Sequence, residues 1–563
     1  MIKLATVFSG IGAVEHALSR MDINYEIVFA CDNGDIDVFS KNIKPNMDDI
    51  EENITLLKSI INDETQTKDN YIKQLLDMLK LTEVNFNDIK NNLDSSNIHE
   101  RKSDIKKMIS NVLTGDLNNS RSKHYTTFLD ELNSDISITQ LKLLSYQIIL
   151  KLSNDFKRDN SLDDLGNTNL SFISSCGIDW TEINEPLKLC YDELEKENGK
   201  KIIRAVQTLS KRVGQLHGKI KSLHHLNKFK NLNSFEARKK YVDNLYKGNE
   251  KRNKVKISYQ SNYHCPNNHY HWDVTFLDGN DYKNQVDLFV GGSPCQSFSI
   301  MGKQHGLSDT RGTLFYEYIR LVEEIQPKVF IYENVRAVLS NDCGRTWEVM
   351  KDIFNQLNYN VFYIKNDEPS ILNAKDYGIP QNRKRLFVVG FRSDLKLKKD
   401  FEFPQSIELN KTMQDFLIEN APKGSFVPKH DIIFDKNNLN DSDENILDKY
   451  FLSEKIKKTV LSSGTKNFYS KPDIDLKIAR PLVNSMHKMH RAGEDNYVTT
   501  NGKLRRLTPR EALRLMGFSD NWEIVVSDTA MYQQAGNSIV VDVLINIIDE
   551  IIKSYPALIE NDN

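Results

Sequence analysis

Three kinds of side chain suited to chemistry follow short apolar runs in the second half of the chain. Cys295 lies in "GGSPCQSFS", just behind the run Val286–Val290. Glu333 lies in "YENV", at the end of "KVFIY", and Arg383 and Arg385 alternate with Gln381 in "PQNRKRLFVV". A thiol is a nucleophile only as thiolate, and it needs a substrate made electrophilic. A carboxylic acid can supply the proton that does this. A guanidinium can anchor a carbonyl. Singly, each residue has an ordinary reading as a buried cysteine or a surface charge. Their order at successive strand ends is what points to a site.

The elements that must position them are strands of an α/β sheet, since ligands bind at the C-terminal edges of parallel strands in such folds. Four strand-like runs, "VDLFVGG", "KVFIYEN", "YNVFYIKN" and "RLFVVGF", follow "HWDVTFLDG", with helical stretches such as "LFYEYIRLVEEIQ" and "TWEVMKDIFNQL" between them. The spacing predicts that Arg383 and Arg385 share one face of the last strand. The chain opens with the same pattern: a strand over residues 3–8, the glycine turn "SGIG", an amphipathic helix, and a second strand, "YEIVFACD", ending in Asp32. A carboxylate there can bind ribose hydroxyls. Ala13 and Val14 stand where a dinucleotide fingerprint has its third glycine, so a nucleoside cofactor without pyrophosphate fits better than NAD.

The rest of the 563 residues bounds the class. The composition is globular, 39% hydrophobic and 27% charged, and the length predicts two or three domains. No run of 18 apolar residues suggests a membrane span, and "MIKLATVFSGIG" reads as a strand, not a signal peptide. Six scattered cysteines give no disulfide framework, so a reducing cytoplasm is expected. Residues 47–256 read as a helical insertion interrupted only by Pro186. Lys200 to Lys256 holds 17 Lys and Arg against 3 acidic residues, either a phosphate-binding surface or a solvated helix face. Residues 396–505 are polar and irregular. A closing amphipathic helix is expected with Asn537 or Ser538 as its cap.

"GGSPCQSFSIMGKQHGLSDTRGTLFYEYIRLVEEIQPKVFIYENV", "LNAKDYGIPQNRKRLFVVGFR", "GKLRRLTPREALRLMGF" and "QQAGNSIVVDVL" resemble successive motifs of the C5-cytosine DNA methyltransferases. The resemblance covers roughly residues 1–45, 270–395 and 500–550. It implies a class I methyltransferase (Rossmann-like) sheet with helices on both faces and S-adenosylmethionine as methyl donor, leaving S-adenosylhomocysteine. The domains would be a catalytic part at 1–46, the helical insertion at 47–256, catalytic sequence again at 257–395, a target-recognition domain at 396–505 and a closing catalytic part at 506–563. By the same resemblance Cys295 adds to C6 of a flipped-out cytosine, Glu333 contacts N3 and the exocyclic amine, and Arg385, with Arg383 beside it, holds the O2 side. Phe8, Gly10 and Gly12 shape the cofactor turn, Asp32 binds the ribose, and Asp273 receives the adenine amine with Val274 beside the ring. Pro294, Leu314, Asn537 and Ser538 complete that pocket. The loop "SFSIMGKQHGLSDTRGT" suits a mobile lid.

The resemblance implies double-stranded DNA as partner, no membrane, a monomer, a companion restriction endonuclease in a restriction-modification system, and a bacterial cytoplasm with nucleoid association through DNA. Two departures stand out: Asn33 where an aromatic residue often stacks on adenine, and Pro481-Leu482 where the recognition region usually has Thr-Leu. A tRNA cytosine-5 methyltransferase and a non-catalytic DNA-binding protein on the same fold are the alternatives. A zinc reading of His264, Cys265, His269 and His271 in "HCPNNHYHW" lacks a second ligand pair at finger spacing, so no metal is expected.

Overall fold

The computed structural model describes residues 1–39, 222, 225–226, 228–293, 314–419, 447–465, 468–469 and 471–560. Pro294, Cys295, the lid sequence up to Thr313 and the insertion from 47 to 221 therefore lie outside the described residues. The chain divides into two compact units. One comprises Met1–Ile36, Phe235–Phe298 and Leu314–Asn563; the other comprises Asp37–Ser234 and Ser299–Thr313.

The first unit is built on a mixed sheet. Its main strands are β1 (Ile2–Val7), β2 (Tyr25–Cys31), β3 (Tyr270–His271), β4 (Leu288–Gly291), β5 (Val329–Val335), β6 (Tyr359–Phe362) and β7 (Lys384–Arg392). They lie in the order β3-β2-β1-β4-β5-β7-β6, with a short strand, Ile371–Asn373, also pairing with β7. β1 pairs in parallel with β2 and β4, β4 with β5, and β2 with β3. β7 runs antiparallel to β5 and β6. Successive residues of β4, of β7 and of the first half of β5 are buried, so both faces of the sheet are covered there. That is why these strands read as unbroken apolar runs. The order reverses between β1 and β4, which places a switch point at their C-terminal ends.

Helices α1 (Ala13–Arg20), α2 (Phe235–Leu245), α3 (Lys254–Asn262), α4 (Leu314–Ile325), α5 (Arg345–Gln356), α6 (Glu454–Val460), α7 (Pro509–Arg514), α8 (Asp528–Asn537) and α9 (Val541–Ser554) accompany the sheet. α9 buries Val541, Leu544, Ile547, Ile548 and Ile551 and is fastened to α1, where Arg20 holds Asp542 through two hydrogen bonds of 2.9 Å. Among the described residues, no helix is long and apolar enough to cross a membrane.

The structure corrects three expectations. The closing helix is not capped by Asn537 or Ser538: Asn537 ends α8, and the residue before α9 is Val540, which makes no side-chain cap. The insertion does not run to 256, because α2 and α3 belong to the sheet-bearing unit. Arg238 on α2 pairs with Asp281 and Asp278, and Asn253 donates to the Asp32 carbonyl at 3.0 Å. Part of the basic block thus ties helix to sheet. The stretch 396–505 falls in that same unit, and Phe401, Phe403, Met413, Phe416 and Leu482 join the main core. Within it Val460, Ala492, Tyr497 and Leu504 form a small core of their own.

Candidate active site

β1 leads into a turn in which Phe8, Gly10 and Gly12 have φ of 54°, 54° and 79°. This left-handed region suits glycine. At Gly12 a Cβ would also stand 2.2 Å from the Tyr263 ring, whose hydroxyl donates to the Gly12 carbonyl at 2.8 Å. Asp32 follows β2 directly. Its Oδ2 accepts the Gly10 N–H at 2.9 Å and its Oδ1 the Gly34 N–H at 2.8 Å. Burial pushes this carboxyl's pKa up, and the two amides pull it back. A carboxylate offers about four lone-pair sites, so roughly two remain for a ribose diol. The Gly10 N–H, which a phosphate would seek, is spent on Asp32. The donor set therefore fits a nucleoside group without pyrophosphate.

Asp273, shortly after β3, caps the short helical turn Val274–Phe276. Its Oδ1 accepts the Thr275 N–H at 3.0 Å and its Oδ2 the Tyr246 hydroxyl at 2.9 Å. Val274 beside it is buried. The Asp32 carboxylate keeps acceptor capacity suited to hydroxyls. Leu314 opens α4 half-buried. Asn537 is exposed at the end of α8, and Ser538 after it is buried, its hydroxyl donating to the Ile539 carbonyl.

The second cluster surrounds Gly291, Gly292 and Ser293, which precede Pro294 and Cys295 in the sequence. Gly291 has no room for a Cβ, which would meet Val7 Cγ2 at 2.6 Å. At Gly292 a Cβ would lie 2.7 Å from Glu333 Oε2, so the missing side chain lets that carboxylate rest against the loop. Ser293 shares a 2.7 Å hydrogen bond with the Tyr332 hydroxyl, and Asn334 Nδ2 donates to the Ser293 carbonyl at 3.3 Å. The backbone two residues before Cys295 is thereby fixed. Glu333 Oε1 pairs with Arg385 Nε at 3.0 Å, across strands in which Val335 faces Arg385. Burial raises the Glu333 pKa, while Arg385 and then Arg383 act to lower it. A carboxyl held above its usual range is a better proton carrier near neutrality.

Arg383 is not where strand alternation puts it. The backbone turns twice before β7, with Gln381 N–H donating to Ile379 O and Arg383 N–H to Gln381 O, bonds that span only two residues. The guanidinium accordingly leaves the Glu333 face. Its Nη1 donates to Leu482 O at 2.6 Å, and its Nη2 to Gly536 O and Ser538 O at 2.9 Å each. Gln381 completes the grip, accepting the Leu482 N–H at 2.9 Å. At Gly536 a Cβ would meet Asn484 N at 2.3 Å, so the "GNS" turn and the segment after Pro481 touch backbone to backbone. Arg383 thus ties the segment around Leu482 to the Gly536–Ser538 turn through backbone carbonyls.

Sequence reasoning missed Asn334, Tyr246 and Asn253. Asn334 left a signal, as an amide beside Glu333 at the end of an apolar strand; the other two left none. The residues of the zinc reading have separate uses: His269 Nδ1 bonds to Ile27 O, His271 Nε2 to the Tyr282 hydroxyl, and Cys265 is buried. Among the described residues, no group of three or more His, Cys, Asp or Glu could hold a metal ion.

Fold and site together define an α/β enzyme with a nucleoside-cofactor edge beside a buried carboxyl–guanidinium pair, on a mixed sheet consistent with a class I methyltransferase fold. The chain belongs to the C-5 cytosine-specific DNA methylase family, whose model matches residues 232–553. It is an S-adenosylmethionine-dependent enzyme that methylates C5 of cytosine in DNA. It is 36% identical over 260 residues to the Type II methyltransferase M.HhaI of Haemophilus parahaemolyticus, covering 46% of this chain and 73% of the relative. To M.HaeII of Haemophilus aegyptius it is 35% identical over 285 residues, 50% and 78% of the two chains. Among solved structures, the Dnmt2 methyltransferase of S. pombe aligns with 53% of this chain and 88% of its own, at 18% identity and a TM-score of 0.39.

Proposed function

We propose that Cys295 is the nucleophile, Glu333 the proton carrier at the cytosine N3 edge, and Arg385 the group that orients Glu333 and holds the O2 side of the base. The observation that carries this reading is the Glu333–Arg385 pair lying against Gly292, three residues before Cys295. The Cys295 thiolate bonds to C6 while Glu333 protonates N3, which leaves an enamine with a nucleophilic C5. S-adenosylmethionine, held by Asp32 at the ribose and Asp273 at the adenine amine, supplies an electrophilic methyl group. C5 takes the methyl group, leaving S-adenosylhomocysteine, and then loses its proton to water; the C6–sulfur bond breaks, Cys295 leaves as thiolate, and N3 returns its proton to Glu333. The base must first be flipped out of the duplex, since a stacked cytosine exposes neither face.

The relatives carry the name Type II methyltransferase, and we assign this chain the same kind of work: modification of one duplex sequence, as a monomer in a bacterial cytoplasm, beside a companion restriction endonuclease. The test uses duplex DNA and tRNA with labelled methyl donor, followed by sequencing for 5-methylcytosine. Duplex DNA carrying 5-fluorocytosine at the target should trap a covalent complex with the wild-type enzyme and none with Cys295→Ser. A normal turnover by Cys295→Ser refutes the nucleophile assignment, and methylation of tRNA alone refutes the duplex.

A further inference from the structure

We propose that Tyr246 positions Asp273 for recognition of the cofactor's adenine amine, and that the chain re-entering the sheet-bearing unit after the insertion acts as a clasp on the cofactor edge. This rests on the reading of Asp273 as the adenine acceptor. Tyr246 directly follows α2, and its ring lies on the Trp272 indole, with centroids 5.0 Å apart and planes 10° apart. Lys256 Nζ stands 4.9 Å from the Trp272 ring and 5.2 Å from that of Tyr270. The phenol is thus held in place by its own ring, and its hydroxyl donates to Asp273 Oδ2 at 2.9 Å.

Two donors, the phenol and the Thr275 N–H, meet the two carboxylate oxygens separately and so fix the plane of the group. The phenol and the Thr275 N–H both donate, which favours the carboxylate as an acceptor, and an acceptor selects a 6-amino purine over a 6-oxo purine. The same segment secures the other acidic residue. Asn253 Nδ2 donates to the Asp32 carbonyl, while Asn253 Oδ1 accepts the Lys256 N–H at 2.8 Å and so caps α3. Gly34 leaves space for it, since a Cβ there would be 2.3 Å from Asn253 Oδ1.

The test is titration calorimetry of the full chain with two ligands, S-adenosylhomocysteine and its 6-oxo analogue S-inosylhomocysteine. Tyr246→Phe keeps the ring on Trp272 and loses only the hydroxyl. We expect the wild type to prefer the adenine ligand and Tyr246→Phe to narrow that preference about tenfold, mostly by weaker binding of S-adenosylhomocysteine, in keeping with one hydrogen bond to a charged group. Equal weakening of both ligands would mean that Tyr246 only supports the fold, and overturns the proposal. So does an unchanged preference, or tighter S-adenosylhomocysteine binding, which would make the phenol a competitor of the amine. Asp273→Asn separates the two levels. If it leaves the preference intact, the adenine reading of Asp273 fails and takes the proposal with it. If it narrows the preference and Tyr246→Phe does not, the Tyr246 proposal alone falls.

Discussion

Gly292 gives the most direct handle on the Glu333 carboxyl proposed as proton carrier. An alanine Cβ there would stand 2.7 Å from Glu333 Oε2 and 3.0 Å from the Glu333 carbonyl oxygen. The carbonyl belongs to β5, where Glu333 is in register with Phe387 of β7, and it has little freedom to yield. The carboxylate can move. To reach an ordinary contact of 3.4 Å it must retreat about 0.7 Å, at the expense of its 3.0 Å pair with Arg385. A catalytic group misplaced by about 1 Å can lose on the order of 10²-fold in rate. Gly292→Ala should therefore slow methyl transfer roughly 10- to 100-fold, about 1.4–2.7 kcal/mol of barrier. The assay is single-turnover transfer of tritiated methyl to the target duplex under saturating donor and DNA, so that binding does not enter. Gly291→Ala is the contrast: its Cβ would meet Val7 and Tyr318 in the core, and about 1–3 kcal/mol of stability should be lost. A Gly292→Ala enzyme with the wild-type single-turnover rate would show that the Glu333 position does not control the chemistry.

Arg383→Lys keeps a charge but cannot span three carbonyls; about 3 kcal/mol of stability should go, read from urea midpoints, together with weaker binding to the target duplex. A large fall in turnover with stability unchanged would instead return Arg383 to the base. Asp495 is buried, and its pKa is pushed up to about 6, chiefly by that burial. Its folded pKa lies above its unfolded one, so its stabilising share is full below about pH 4 and is lost as pH rises through about 6. Asp495→Asn should then raise stability by up to about 3 kcal/mol at pH 8 and progressively less toward pH 5. An equal gain at both pH values refutes this linkage.

The strand that precedes Cys295 in the chain and the one that carries Glu333 were legible because burial on both faces leaves an unbroken apolar run, as in Leu288–Gly291 and Val329–Tyr332. The run "HWDVTFLDG", where the α/β pattern resumes, holds little strand. Only Tyr270–His271 pairs, because the Asp273 side chain takes the Thr275 N–H and turns the backbone before a strand can form. Arg383 misled for a related reason. Period-two alternation assumes extended backbone, and the bonds Gln381→Ile379 and Arg383→Gln381 break it. Tyr246 and Asn253 could not be read at all. Each sits in a lysine-rich stretch with helical periodicity, and their partners, Asp273 and Asp32, are distant in sequence: 27 and 221 residues away.

The hydrogen bond from Asn253 to Asp32 has a consequence for how such a protein can have arisen. It closes a loop of 221 residues where strands β2 and β3 lie side by side. Loop-closure entropy grows only with the logarithm of length, so lengthening a connection of about 20 residues to this size costs roughly 2 kcal/mol. A chain that already pays for β2 beside β3 can acquire or shed a whole module at this junction with little thermodynamic penalty. The junction thus tolerates exchange of sequence, and both of its ends meet at the hydrogen bond between Asn253 and Asp32.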